Sequence, residues 1–211
     1  MSAGFSQAEP LLEWAWAGRA IDEGQEGGES GDLHLVAPFA GGALVAVIDG
    51  LGHGPEAANA ATAAAEILAA NAGSPVVQLV EMCHEGLRKT RGVVMSLASF
   101  CADNSSVTWI GVGNVEGVLV QESESETPHR QGIVLRGGVV GYRLPPLRPA
   151  TVAVGKGDTL IVATDGIRSK FLSDLRLTGN LQQTADWILT HHSSRSDDAL
   201  VVVARYLRGA P

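Results

Sequence analysis

The sequence predicts an α+β fold built mainly from antiparallel sheets, and three observations lead there. Short β-branched and apolar runs bounded by glycines lie on both sides of one alanine-rich stretch, residues 55–72. The strand runs come in blocks, without the strand–helix alternation of a doubly wound parallel sheet. Apolar residues make up 45% of the 211 residues and charged ones 18%, a balance that fits a buried core and excludes a disordered tail or coiled coil.

Residues 11–20 alternate in polarity and predict an opening strand. Residues 24–31, rich in glycine and glutamate, predict a turn. Residues 33–39 and 43–48, split by Gly41-Gly42, predict a hairpin or meander. In the alanine-rich stretch Pro55 suits a first helical turn and Gly73 a stop. Ser74-Pro75 predicts the cap of a second helix, with an apolar stripe of Val76, Leu79, Val80, Cys83 and Leu87 and an end at Gly92. So short a link predicts antiparallel neighbours. Residues 93–101, 107–112 and 117–121 predict strands, with hairpin-type turns at Asp103-Asn104 and Gly113-Asn114. Residues 122–130 are polar and predict a loop tip. Further strands are expected at 133–140, 151–154 and 160–163, a helix over 182–190 and a closing strand over 199–206.

Composition removes several functions. Fifteen Lys and Arg against 23 acids give a net charge of −8, and no basic cluster offers a nucleic-acid footprint. No apolar run reaches the 18 or so residues that a membrane helix needs. Met1 to Pro10 lack the basic and apolar regions of a signal peptide, so a cytoplasmic protein is expected, with residues 1–211 forming one domain. Cys83 and Cys101 have no CxxC spacing, so both are expected to be core residues. Gly111-Val112-Gly113-Asn114 lacks the GxGxxG spacing of a dinucleotide loop, and no P-loop motif occurs.

Four carboxylates stand at predicted strand ends beside a glycine or a second acid. Asp32 follows Ser30-Gly31, Asp49 precedes Gly50-Leu51-Gly52-His53-Gly54, Asp165 precedes Gly166, and Asp197 precedes Asp198. An Asp at the end of a buried strand adjoins the core, where a carboxylate must be paired, hydrogen-bonded or metal-bound. Oxygen-rich sites of this kind suit Mg²⁺ or Mn²⁺, and two divalent ions would balance four acids. Asp-Gly is also a common turn, so spacing alone leaves both a turn and a metal site open.

Asp49-Gly50-Leu51-Gly52-His53-Gly54-Pro55-Glu56-Ala57 closely resembles the DGxGHGxxA signature of the SpoIIE-type branch of PPM/PP2C metal-dependent protein phosphatases. Ser30-Gly31-Asp32, Ala163-Thr164-Asp165-Gly166 and Ser196-Asp197-Asp198-Ala199 resemble that family's other motifs, in order, over residues 10–206. The resemblance implies an αββα sandwich of two antiparallel sheets flanked by helices. It implies a protein serine/threonine phosphatase using two Mn²⁺ or Mg²⁺ ions. Carried over by position, Asp49 is shared by both metals, the Gly50 carbonyl completes one site, Asp165 and Asp197 hold the other, and Asp32 acts near the pair. Asp198 lies behind the ligands. The chain is most similar to short stand-alone members that act on RsbR/RsbS-like stressosome proteins, which implies phosphoserine or phosphothreonine protein substrates and a role in resetting a stress response.

Two positions depart from the pattern. Leu35 stands where the branch often has a second acid, and Glu26-Gly27-Gly28-Glu29 offers no Arg of the kind eukaryotic relatives use to hold phosphate. Phosphate binding is therefore expected to rest mainly on the metals. His53 is read either as the general acid for the leaving group or as a residue shaping the start of the helix. His191-His192 is expected to cap a helix C-terminus. Trp14, Trp16, Trp109 and Trp187 are expected in the core or on sheet faces, with any exposed one serving a partner surface. With no lid evident, the site is expected to be open to a protein segment. A catalytically inactive docking module and a small-phosphoester hydrolase are the alternatives.

Overall fold

Strand β3 (Gly42–Gly50) shows how the layers arise. Leu44, Ala46 and Ile48 point into one core, whereas Ala43, Val45 and Val47 point into another. A strand buried on both faces reads as a continuous apolar run, because neither face meets water. Strand β11 (Ala199–Tyr206) repeats the pattern, with Ala199, Val201 and Val203 on one side and Leu200, Val202, Ala204 and Tyr206 on the other. The core shared by both strands therefore lies between two sheets, and each sheet has a second core on its outer face.

The computed structural model describes residues 10–21, 29–122, 129–175, 177, 179–194 and 196–209. One sheet has the order β1 (Leu12–Arg19), β11, β10 (Thr159–Ala163), β6 (Glu116–Gln121), β7 (His129–Gly132). The other runs β2 (Asp32–Phe39), β3, β4 (Val93–Cys101), β5 (Ser106–Val112), β8 (Leu135–Arg136), and β9 (Ala150–Ala153) also pairs with β5. Every pairing is antiparallel except β5 with β8. Helices α1 (Pro55–Ala70) and α2 (Val76–Gly86) cover the second sheet through Ala60, Ala64, Leu68, Leu79 and Val80. The short α3 (Phe171–Asp174) and α4 (Leu181–His192) cover the first through Phe171, Ala185 and Ile188. This is the αββα sandwich. No helix among the described residues is long and apolar enough to cross a membrane.

Several local expectations change. Pro75, not Ser74, is the N-cap of α2, and no side chain caps it. The helices stop at Ala70 and Gly86, before Gly73 and Gly92, with Asn71 and Leu87 as their C-caps. The turn expected over 24–31 falls mostly outside the described residues, as does most of the loop over 122–130, although His129–Gly132 pairs with β6 as a strand. The strand over 133–140 shrinks to Leu135–Arg136, with bridges at Val139 and Val140, since Gly137-Gly138 interrupts it. Helix α3 carried no sequence signal.

The largest change is at Gly113-Asn114. Strands β5 and β6 belong to different sheets, so this segment crosses the sandwich instead of closing a hairpin. Of the His191-His192 pair, His191 Nδ1 hydrogen-bonds the Trp187 carbonyl at 2.8 Å in the last turn of α4, whereas His192 is buried at 6% exposure, where burial lowers its pKa, and packs against the Trp187 ring. Cys83 and Trp109 are buried as expected. Trp14 and Trp16 stay 43% and 45% exposed and pack with tilted rings against His34.

Candidate active site

Each sheet delivers two of the four strand-end acids to the same end of the sandwich. Asp32 opens β2 and Asp49 ends β3, and the two are direct register partners. Like charges opposed across an antiparallel pair repel. Asp165 follows β10 and Asp197 precedes β11, the neighbouring strands of the other sheet. Burial pushes the Asp49 carboxyl up to about 8, with Asp32, Asp165, Asp197 and Asp198 adding repulsion in that order. Burial likewise raises Asp32 to about 7, although a hydrogen bond from Thr164 opposes the rise. Burial and the charge of Asp165 raise Asp197 as well.

The two sheets are tied together behind these acids. Thr164 Oγ1 donates to Asp32 Oδ2 at 2.7 Å and accepts from the Leu200 amide at 3.0 Å. Asp198 is buried and accepts from the amides of Ile21 and Gly31, both at 2.7 Å. The Gly31 carbonyl in turn accepts from the Gly50 amide at 3.0 Å. Asp198 therefore anchors the first-motif loop. Asp158 is a useful contrast. It is also buried, but its oxygens accept from the amides of Gly155 in its own turn and of Glu122 just after β6, so it is a structural acid.

The glycines of the two Asp-Gly pairs distinguish a site from a plain turn. Neither Gly50 nor Gly166 has a positive φ, so neither supplies a conformation that only glycine tolerates. Both are required by close approach. A methyl group at Gly50 would lie 2.2 Å from the Ala57 carbonyl oxygen, and one at Gly166 would lie 1.8 Å from that of Asp198. Gly50 thus lets α1 press against the end of β3. Gly166 lets the Asp165 loop press against the Asp197-Asp198 loop.

A cavity of about 400 Å³ is lined by Asp49, His53, Asn114, Asp165 and Asp197, with Val139 on its wall. Asp32 lies in an adjoining cavity of about 490 Å³ with Arg19 and His34. Asp165, Asp197 and His53 are exposed, so the site is open to solvent as expected. His53 sits near enough to Asp197 for its charge to favour the ionised carboxylate. Two residues were missed from sequence. Asn114 Nδ2 donates to Asp165 Oδ2 at 2.6 Å, a contact hidden because its segment reads as an ordinary turn. Arg19 reaches the Asp32 cavity from the end of β1, although its guanidinium donates to the Ser194 carbonyl. Leu33 and Leu35 pack against the helix-covered core, so the second acid expected at 35 in the family pattern is replaced by packing.

The donor set fits hard divalent cations. It consists of carboxylates whose repulsion only added positive charge would relieve, together with the neutral oxygen of Asn114. Among the described residues no three acids, histidines or cysteines form a ready-made cage around one point, so the fit rests on donor chemistry rather than a preformed polyhedron.

Residues 40–207 match the family model for Stage II sporulation protein E (SpoIIE). The chain is 26% identical over 164 residues to the phosphoserine phosphatase RsbX of Bacillus subtilis (strain 168), covering 77% of this chain and 80% of that one. A solved structure from a study of the bacterial stressosome, described there as a modular system adapted to control secondary messenger signaling, has a TM-score of 0.79 and 30% identity, over 92% of this chain and 99% of that one. The crystal structure of RsbX in complex with magnesium has a TM-score of 0.80 and 21% identity, over 92% and 95% of the two chains. The fold is that of PP2C phosphatases.

Proposed function

This chain belongs to the SpoIIE family and is a PP2C-type serine/threonine phosphatase, and on that premise we propose that it dephosphorylates stressosome-type (RsbR/RsbS-like) phosphoproteins with two divalent cations. One observation carries the reading. Four strand-end carboxylates, two from each sheet, converge at one end of the sandwich, and burial holds Asp32 at about 7 and Asp49 at about 8. A fold that gathers four carboxyls where burial and mutual repulsion make the ionised forms costly is arranged for a positive guest.

Asp49, Asp165 and Asp197 share one cavity and would hold Mn²⁺ or Mg²⁺, with the Gly50 carbonyl and Asp32 beside them. When bound, the ions supply positive charge to the phosphoryl oxygens and a water acidic enough to attack near neutral pH. The rest is the work of the chain. Thr164 fixes the Asp32 carboxylate, Asn114 fixes that of Asp165, and Asp198 holds the first-motif loop in register. Hydrolysis joins a water oxygen to phosphorus and breaks the bond from phosphorus to the serine oxygen, which leaves needing a proton. His53, an imidazole exposed on the cavity beside Asp197, is the group suited to hand it over. The open cavity suits a protein segment.

The test is release of inorganic phosphate from a phosphoserine peptide in Mn²⁺ and after chelation. The expected result is Mn²⁺-dependent turnover that Asp49→Asn lowers by at least about a hundredfold. Equal turnover by Asp49→Asn, or turnover indifferent to metal, would overturn the proposal.

A further inference from the structure

The turn Val139–Arg143 forms one rim of the acid-lined cavity, and its charge is opposite to that of the floor. Val139 lines the cavity with Asp49, Asp165 and Asp197. Val139 and Arg143 are bridge partners, and directly opposed residues of an antiparallel bridge place their side chains on the same side. Arg143 therefore emerges on the cavity face. It is exposed and makes no ion pair among the described residues. Tyr142 beside it is 82% exposed.

The turn is held rigidly. The Val139 amide donates to the Arg143 carbonyl at 2.9 Å, and the Arg143 amide donates back at 2.8 Å. Val140 exchanges two 2.9 Å backbone bonds with Val93. The Gly141 amide donates to His84 Nδ1 at 3.0 Å, and Gly141 has a φ of +99, which favours glycine. A turn so fixed loses little backbone freedom when it binds, and Tyr142 adds contact area with few rotatable bonds.

The stretch that carries this turn is basic along the sequence, although Arg130 and Lys156 lie at the start of β10, the end away from Asp165. Residues 129–157 contain Arg130, Arg136, Arg143, Arg148 and Lys156 and no acid, in a protein of net charge −8. A phosphoprotein approaching an acidic floor gains from cations on the rim.

We propose that the Val139–Arg143 turn is a docking rim on which Arg143 engages acidic side chains flanking the phosphoserine of an extended substrate segment. The proposal rests on the phosphatase reading above. Its occupant follows from continuity with the catalytic cavity and from charge.

The experiment uses three synthetic phosphoserine peptides of one length, flanked by Glu, Gln or Lys, with the full chain in Mn²⁺. The expected result is a kcat/KM for the Glu peptide about three- to fivefold above that for the Gln peptide at low ionic strength, the scale of one exposed charge pair. The preference should shrink toward parity at about 1 M salt. Arg143→Gln should remove it, Arg143→Lys should keep most of it, and Arg143→Glu should reverse the order in favour of the Lys peptide. Because every peptide carries the same phosphate, an equal fall for all three in Arg143→Gln would mean contact with the phosphate itself and would overturn the proposal. So would an undiminished preference in Arg143→Gln, or none in the wild type. Absence of Mn²⁺-dependent phosphate release from any peptide would instead remove the phosphatase reading, and this proposal with it.

Discussion

Replacing Gly166 with Ala tests whether the two acid-bearing loops of the second motif pair must touch. The added methyl would lie 1.8 Å from the Asp198 carbonyl oxygen and 2.9 Å from the Ala199 Cα. The loops must part by about 1.2 Å to restore the 3.0 Å below which real side chains essentially never pack. No relief comes from rotating a side chain, since the obstacle is backbone. Moving Asp198 also pulls on the amides of Ile21 and Gly31 that its carboxylate accepts. Overpacking of this kind costs about 1–3 kcal/mol. For a chain of this size that lowers Tm by about 2–12 °C. Parting the loops separates Asp165 from Asp197, and a misplacement of about 1 Å can cost a hundredfold in rate. Thermal melts with and without Mn²⁺, paired with phosphate release, measure both effects. Gly137→Ala is the control, since nothing lies within 4 Å of its added methyl and its φ is not positive. A Gly166→Ala protein that melts and responds to Mn²⁺ as Gly137→Ala does would refute the close-approach argument.

Asp49→Asn should flatten a pH dependence. A carboxyl raised from 3.8 to about 8 stabilises the fold below pH 3.8 and withdraws that stability as pH rises through about 8. Metal-free wild type should therefore lose Tm between those limits more steeply than Asp49→Asn, and the variant should also lack the Mn²⁺-induced rise in Tm; parallel pH profiles would contradict this. Asn114→Ala removes the 2.6 Å bond to Asp165 and should raise the Mn²⁺ concentration for half-maximal activity about 10- to 100-fold, read from a metal titration. Thr164→Val leaves Asp32 without its donor and the Leu200 amide without its acceptor; urea unfolding should show a loss of about 1–3 kcal/mol, largely restored in Thr164→Ser.

The layered fold was legible because its strands are simple physical objects. A run such as Leu44 to Ile48 is apolar throughout only if both faces are buried, and blocks of such runs around an alanine-rich helix imply sheets packed between helices. The crossing at Gly113-Asn114 was not legible. Turn residues report that the chain bends, and the same pair serves a hairpin or a passage between sheets. The choice is made by partners distant in sequence, since β6 pairs with β10 instead of returning to β5. Asn114 was lost with that choice. Arg19 was missed for a related reason. Proximity in sequence directs attention to residues just before Asp32, whereas the Asp32 cavity is reached from the end of β1 in the opposite sheet.

The acids were legible as a group, but their neighbours decide what the group is for. Asp158 shows that a buried Asp in a glycine-bordered turn can be wholly structural, because backbone amides, one in its turn and one just after β6, meet both its oxygens. Asp32 and Asp49 differ in being set directly opposite each other, where burial raises both carboxyls and the charge of Asp32 makes Asp49 harder still to ionise. Stability alone would favour an apolar or neutral pair at that register position. The surrounding scaffold nevertheless holds the arrangement in place: Thr164 joins the sheets at Asp32, Asp198 clamps Gly31, and two glycines without positive φ admit backbones that any side chain would push apart. A turn needs none of these ties. The proposed site, which would keep four acids together until cations arrive, draws on all of them.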